Sequence, residues 1–102
     1  MAEMNLEVND YLLSQNFPNP FNSITTIGIR IPPADGKIAH MQFVSLKVYD
    51  VLGTEVAILL NEEKPEGYYT IKLDASVLPS GIYFYKLNIG NIIKSKKMML
   101  LR

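Results

Sequence analysis

The stretch FVSLKVYDVLGTEV, residues 43–56, decides the fold of this chain. In its first half, apolar and polar residues alternate, which is the period-two pattern of a half-buried β-strand. The next four residues, Asp50–Gly53, place aspartate first and glycine fourth, as a type I turn prefers. The sequence therefore predicts a strand over Phe43–Asp50, a turn, and a returning strand over Glu55–Leu60 that completes a hairpin.

The same alternation continues on both sides of this hairpin, with Pro32 and Pro33 ending the strand before it. We predict four further strands, Ile24–Ile31, Tyr68–Asp74, Ile82–Ile89 and Ile92–Leu101. Strand Ile82–Ile89 is apolar at nearly every position, which is typical of a central strand covered on both faces. Together the segments predict an all-β antiparallel sandwich with a core of Val44, Leu46, Val48, Ile71, Leu73, Ile82 and Phe84.

The connections between these strands carry ordinary turn chemistry. Asn61–Gly67 is predicted to be a charged loop, and Gly90-Asn91 a two-residue hairpin turn. Leu78–Gly81 is predicted to be a turn in which Pro79 presets the second position and Gly81 takes the fourth. We expect Gly53, Pro79 and Gly81 to serve backbone geometry.

Composition excludes several classes of function. Lysine plus arginine and aspartate plus glutamate number 10 each, so the net charge is zero and the chain offers little field for nucleic acid. Cysteine is absent, which removes disulfides and thiol catalysis. No apolar run approaches the ~18 residues of a membrane span. We expect one domain over residues 11–102, and a linker over residues 1–10 in which Met1 and Ala2 are an added start.

Several motifs in order carry a family resemblance. The motifs are Asn16–Asn22 with Thr25–Ile27, Val48–Val56, Gly67–Thr70, Asp74–Ser76, Leu78–Leu87 and Lys96–Arg102. Together they resemble the type A C-terminal sorting domain of the type IX (Por) secretion system, which follows secreted proteins of Bacteroidetes. The resemblance covers residues 11–102. The chain is also similar to the immunoglobulin-like domain of flagellar hook-capping proteins, which would make it purely structural, but the Lys-Lys-Met ending fits the sorting family better.

The resemblance implies an immunoglobulin-like sandwich of about seven strands. It also implies a role in export: the domain follows a cargo protein, passes through the periplasm, is recognised by the outer-membrane translocon, and is cleaved by a sortase-like peptidase. The cargo is then released or attached to the cell surface. The cleavage site would lie near residues 1–11, and an exposed last strand would allow strand exchange between two copies in a homodimer.

The C-terminal strand is the first candidate site. The resemblance implies that Lys96, Lys97, Met98, Leu100 and Arg102 carry recognition by the secretion machinery, by charge and by strand addition. We expect changes there to leave the fold mostly intact while export fails. The residues alone favour the other interpretation, that the segment is a last strand whose lysines guard an edge against unwanted pairing.

The motif Asn19-Pro20-Phe21-Asn22 is the second candidate. It has the composition of a binding loop, but its asparagines are expected to form local side-chain-to-backbone hydrogen bonds. Phe21 is expected to plug one end of the sandwich.

Catalytic, metal and glycan sites have weak support. His40 stands without a second imidazole or a cysteine, which disfavours a metal site, and a calcium site among Asp35, Asp50 and Asp74 is less simple than turn formation. No nucleophile has a base and an orienting partner, so we expect no enzyme activity and no cofactor. A carbohydrate-binding role would need an aromatic platform, for which the candidates are Tyr68, Tyr83 and Tyr85.

Overall fold

The computed structural model describes residues 12–34 and 41–102 of the chain. These residues contain six strands: β1 (Ile24–Ile31), β2 (Gln42–Tyr49), β3 (Glu55–Lys64), β4 (Gly67–Asp74), β5 (Gly81–Ile89) and β6 (Ile92–Leu100). The strands form two antiparallel sheets, one in the order β1-β4 and the other in the order β3-β2-β5-β6. The predicted all-β sandwich is confirmed, and this strand order is that of an immunoglobulin-like domain.

The core forms where the alternating apolar faces of the two sheets meet. In β2 each second residue is buried, as the period-two pattern predicted. The fully or nearly buried side chains include Leu13, Phe21, Ile27, Ile29, Ile31, Val44, Leu46, Val48, Leu73, Tyr83, Tyr85, Leu87, Ile89, Met98 and Leu100. Of the predicted core residues, the three in β2 and Leu73 are buried, and Ile71 packs partly buried against them.

Strand β5 differs from its prediction. Only one of its faces is buried, and that face carries Tyr83 and Tyr85. Ile82 is half-buried and Phe84 is 39% exposed, so neither belongs to the core. The reason is architectural: a sheet in a two-layer sandwich has one covered face, and apolar residues on the other face remain in contact with water.

Strand β3 also differs from its prediction, because it continues through Lys64 where a loop was expected after Leu60. The charged residues at the C-terminal end of β3 pair with β2, and Glu62 is opposite Val44. Two register shifts interrupt this pairing. Because β3 is an edge strand, such irregularities help to prevent pairing with another chain.

The described residues form six strands where the resemblance implied about seven, and residues 12–21 form no strand of their own. They make isolated bridges, between Leu13 and Ile29, Phe17 and Thr26, and Phe21 and Leu100. Proline has no N–H to donate to a ladder, and Pro18 and Pro20 interrupt the segment. The segment therefore passes from the edge of β1 to the edge of β6 without forming a continuous strand with either.

The described chain enters and leaves the sandwich at opposite ends. Leu13 lies beside Ile29, near the end of β1. Leu100 is paired with Gly81, where β5 begins. Whatever precedes residue 12 therefore joins the domain at the end remote from Arg102.

Candidate recognition surface at the C-terminal strand

Strand β6 carries the predicted recognition residues at one edge of the four-stranded sheet. Met98 and Leu100 are 1% and 0% exposed and belong to the core, whereas Lys97 and Arg102 are exposed and Lys96 is half-buried. A receptor that meets the folded domain can therefore contact the cations but not the side chains of Met98 and Leu100. The burial of these two residues argues against the expectation that this tail is separable from the fold, because its apolar residues complete the core.

The outer edge of β6 is covered near its C-terminal end by the segment that precedes β1. The N–H of Phe21 donates to the carbonyl oxygen of Met99 at 3.0 Å, and the N–H of Leu101 donates to the carbonyl oxygen of Phe21 at 2.9 Å. The side-chain oxygen of Asn19 accepts the N–H of Met99 at 3.0 Å. A strand added from outside along residues 97–101 would have to displace these contacts.

The motif Asn19-Pro20-Phe21-Asn22 is therefore a structural element of the tail. Phe21 is 3% exposed and closes the core, as predicted. The hydrogen bond of Asn19 is not local, however, since it joins residues 80 positions apart in the chain. Asn19 therefore holds the C-terminal strand in position.

A buried polar network anchors the same segment to β5. The hydroxyl of Tyr85 accepts the N–H of Asn16 at 2.8 Å and donates to the carbonyl oxygen of Ser14 at 2.7 Å. The side chain of Asn16, which is 2% exposed, donates to Thr25 Oγ1 and to the carbonyl oxygen of Pro18, both at 3.0 Å. Because these groups are satisfied by one another, the core tolerates them without a large desolvation cost.

Gln15 links this network to β6. Its side-chain amide donates to the carbonyl oxygen of Lys97 at 2.7 Å and to the side-chain oxygen of Asn16 at 2.8 Å. Sequence analysis missed Gln15, Asn16 and Tyr85 as a group. The asparagine-rich run before β1 was a signal of hydrogen bonding, but it did not reveal that the partners lie on β5 and β6.

Arg102 is held by the connection between β4 and β5. Its guanidinium donates to the carbonyl oxygens of Ala75 and Leu78, and its backbone N–H donates to Ser80 Oγ at 3.1 Å. Carbonyl oxygens at a turn are good partners for a planar cation with several donors. The last residue is thus exposed but engaged, and a receptor that binds its guanidinium would compete with these carbonyls.

Asp74 organises the start of the same connection. Its carboxylate accepts the N–H of Ser76 at 3.0 Å and also the Ser76 hydroxyl. The hydrogen bonds from the Ser76 side chain and backbone lower the pKa of Asp74 below its usual value, and the charges of Arg102 and Lys72 act in the same direction. The carboxylate therefore has a local role in shaping the turn that holds Arg102.

The connection itself differs from the predicted turn. The N–H of Leu78 donates to the carbonyl oxygen of Ala75 at 3.0 Å, so the hydrogen-bonded turn is Ala75–Leu78 and not Leu78–Gly81. Pro79 has another role: its carbonyl oxygen accepts the hydroxyl of Tyr83 at 2.6 Å. A tyrosine at the start of this strand, bonded to backbone a few residues upstream, is the tyrosine corner of immunoglobulin-like domains.

The β2–β3 turn forms as predicted. The N–H of Gly53 donates to the carbonyl oxygen of Asp50 at 3.0 Å, and Asp50 Oδ1 accepts the N–H groups of Leu52 and Thr54, both at 2.9 Å. Gly53 has a φ of 86°, in the region that glycine adopts without a Cβ penalty. Asp50 and Gly53 thus serve the turn, while Val51 and Leu52 at its tip are exposed.

The aromatic platform that a carbohydrate-binding role would need does not form. Tyr83 and Tyr85 point into the core, at 5% and 0% exposed. Tyr68 lies on the outer face of the other sheet, with its hydroxyl against Gly28 and the Arg30 guanidinium 5.4 Å from its ring centroid. The three rings therefore share no surface on which a sugar could stack.

The metal candidates are only partly described. Asp35 and His40 lie outside the described residues. Within residues 12–34 and 41–102 no group of three histidine, cysteine or carboxylate side chains is arranged to hold a metal ion. In the same part of the chain no helix is long and apolar enough to cross a membrane.

Comparison with known proteins agrees with this architecture. The family model described as the secretion system C-terminal sorting domain matches residues 15–101. The match contains both the segment 15–21 and the strand β6 that it covers. The comparison with curated proteins finds no match.

The immunoglobulin-like sandwich and its C-terminal strand thus belong to a protein-sorting domain. The chain belongs to the family of secretion system C-terminal sorting domains. It is a sorting signal for type IX secretion of a cargo protein to the cell surface or the medium. Domains of this family are generally non-catalytic.

Proposed function

We propose that the export machinery binds the folded domain at the end of the sandwich that carries Arg102. Lys96, Lys97 and Arg102 supply the charge that is recognised, while Met98 and Leu100 hold the strand in position from within the core. The observation that supports this division is the burial along the end of the chain, where Lys97 and Arg102 are exposed, Lys96 is half-buried, and Met98 and Leu100 are enclosed.

The position of the two chain ends supports the same proposal. A cargo attached before residue 12 joins the sandwich at the opposite end from Arg102, so it leaves the proposed surface uncovered. A sortase-like peptidase that cleaves upstream of residue 12 would then act at one end while the translocon holds the other. Transit through the periplasm and cleavage near residues 1–11 are parts of this proposal.

An export assay with point variants tests the proposal. The chain is fused behind a signal peptide and a fluorescent reporter in a type IX-competent bacterium, and surface and medium fluorescence are compared with periplasmic fluorescence. We expect Lys96→Gln with Lys97→Gln to retain the reporter in the periplasm. Lys72→Gln, on β4 of the other sheet, is the matched control and should export normally.

Deletion of residues 97–102 is unsuitable for this test, because it removes two core side chains together with the cations. A thermal melt of each point variant separates loss of recognition from loss of folding. Normal export of the double lysine variant would contradict the proposal. Failure of the control as well would mean that export follows overall charge and not this surface.

A further inference from the structure

A shallow groove lies on the outer face of the four-stranded sheet, away from the core. Its volume is about 380 Å³, and its lining includes Tyr49, Val51, Phe84, Lys86 and Ser95. In the register of the sheet Tyr49 is opposite Phe84, and Lys86 is opposite Ser95. With Phe84 39% exposed, the groove brings two aromatic rings and an ammonium group to the surface at one place.

The cations at this groove are held differently from Lys47 on the same face of the sheet. Lys47 lies 3.6 Å from Glu55 in a salt bridge. Lys86 instead has its Nζ 5.2 Å from the centroid of the Tyr49 ring, and exposed Lys97 is opposite Phe84 on the neighbouring strand. Across the described residues, neither Lys86 nor Lys97 forms a salt bridge.

One acidic residue also lines the groove, and its carboxylate is committed to the turn. Asp50 Oδ1 accepts two backbone N–H groups of the β2–β3 connection. The groove therefore combines an apolar floor with the ammonium group of Lys86, and Lys97 beside it adds a second cation against the single carboxylate of Asp50. Such a surface favours a ligand that carries both an apolar group and a carboxylate.

The spacing along β5 identifies the kind of ligand. Phe84 and Lys86 lie two residues apart on the same face of one strand, about 7 Å from each other. An extended polypeptide lying along β5 has the same distance between its own alternate side chains. It can place an aromatic or aliphatic side chain on Phe84 and a carboxylate beside Lys86 at the same time.

We propose that this groove binds an extended acidic segment of a partner protein, with an apolar residue on Tyr49 and Phe84 and an aspartate or glutamate at Lys86. A second copy of this chain fits less well, because packing two such faces together would bring the lysines of each face close to those of the other. The site borders the charges of the C-terminal end proposed above at Lys97, which is opposite Phe84, but its central residues belong to β2 and β5.

Peptide selection on the full chain tests this proposal. A phage-displayed library of short random peptides is selected on the immobilised chain, with the double variant Phe84→Ser, Lys86→Gln for counter-selection. We expect enrichment of peptides with Asp or Glu two positions from an aromatic or aliphatic residue. Titrated into the ¹⁵N-labelled chain, they should shift the amide signals of Tyr49, Val51, Phe84, Lys86 and Ser95.

Single variants then measure how much each side chain contributes to the affinity for the selected peptides. Lys86→Gln should weaken binding about threefold, with the effect decreasing as salt rises, as expected of an exposed ion pair. Phe84→Ser should weaken it about tenfold, as truncation of a central aromatic contact does. Lys72→Gln should leave the affinity unchanged. If Phe84→Ser does not fold, judged by its amide spectrum, Phe84→Leu replaces it with a smaller expected loss.

Several outcomes would overturn the proposal. Enriched peptides without acidic residues, or amide shifts elsewhere on the domain, would exclude this occupant of the groove. Absence of enrichment over the counter-selection would exclude a peptide site. Tighter binding of a sulfated disaccharide than of any selected peptide would mean that the groove is a saccharide site. Amide shifts that depend on protein concentration alone would mean that the groove is a self-association surface.

Discussion

The hydroxyl of Tyr85 donates a hydrogen bond to the carbonyl oxygen of Ser14 at 2.7 Å, between residues 71 positions apart in the chain. The same hydroxyl accepts the N–H of Asn16. One buried oxygen on β5 thus holds the segment that covers the C-terminal strand. The N-terminal segment and the position of β6 are therefore coupled through Tyr85, whose side chain is fully buried.

Replacement of Tyr85 by phenylalanine tests this coupling. The change keeps the ring but leaves a buried N–H and a buried carbonyl oxygen unpaired, so we expect a loss of about 1–3 kcal/mol in the free energy of unfolding. Urea denaturation followed by circular dichroism measures it. Tyr49→Phe, on the outer face of the sheet, should change stability by less than about 0.5 kcal/mol. Equal effects of the two changes would refute the special role of the buried hydroxyl.

Stability at alkaline pH depends on the same residue. Burial raises the pKa of Tyr85 from 10.0 to about 12, although the hydrogen bond from Asn16 acts in the opposite direction. The folded state therefore holds this proton more tightly than the unfolded state does. The stabilisation that the protonated Tyr85 hydroxyl gives to the folded state is complete below pH 10 and is lost as pH rises from 10 toward 12. Denaturation midpoints across that range should fall more steeply for the wild type than for Tyr85→Phe, and parallel curves would contradict this assignment.

Met98 and Lys97 are neighbours in β6 with opposite surroundings. Met98→Ala should destabilise the domain by about 2–5 kcal/mol, because it leaves a cavity in the core. Lys97→Ala should change stability by no more than about 0.5 kcal/mol. Chemical denaturation of the two variants checks this directly. A small effect of Met98→Ala would mean that the end of β6 contributes little to folding and that the tail is separable after all.

Gly28 is restricted by its neighbour on the outer face of the smaller sheet. A Cβ at this position would overlap the Tyr68 hydroxyl and would lie 3.0 Å from Ser14 Oγ. We expect Gly28→Ala to cost about 1–3 kcal/mol, as overpacking does. In a Tyr68→Leu background the cost should be smaller, and a double-mutant cycle measures the difference. Strictly additive effects would show that the tyrosine is not what requires glycine here.

The sequence predicted the structure best where a local pattern of residues is compatible with a single backbone conformation. Alternation predicted the strands, and the aspartate and glycine of the β2–β3 connection predicted its turn. Alternation did not reveal which face of an apolar strand is covered, so Phe84 was included in the predicted core and Tyr85 was not. The error arises because both faces of β5 carry large apolar side chains, and only the position of the second sheet distinguishes them.

The candidate site was predicted less well than the fold, for a related reason. A residue such as Met98 is a plausible recognition contact when the tail is considered as an isolated peptide. Its burial depends on pairing with Tyr83 and on the coverage supplied by residues 15–21, which are remote in the chain. The hydrogen bonds of Gln15, Asn19 and Arg102 are equally non-local, and no local pattern in the sequence specifies them.

The parallel contact between Phe21 and Leu100 has a mechanical consequence. The N-terminal segment and β6 run in the same direction, and the chain leaves them at opposite ends of the sandwich. A force that pulls the two ends apart therefore slides this segment along β6 and loads the hydrogen bonds between them together, instead of breaking them one by one. Forced unfolding is governed by the unfolding barrier. A domain tethered to its cargo at one end and pulled at the other would keep its signal folded under tension.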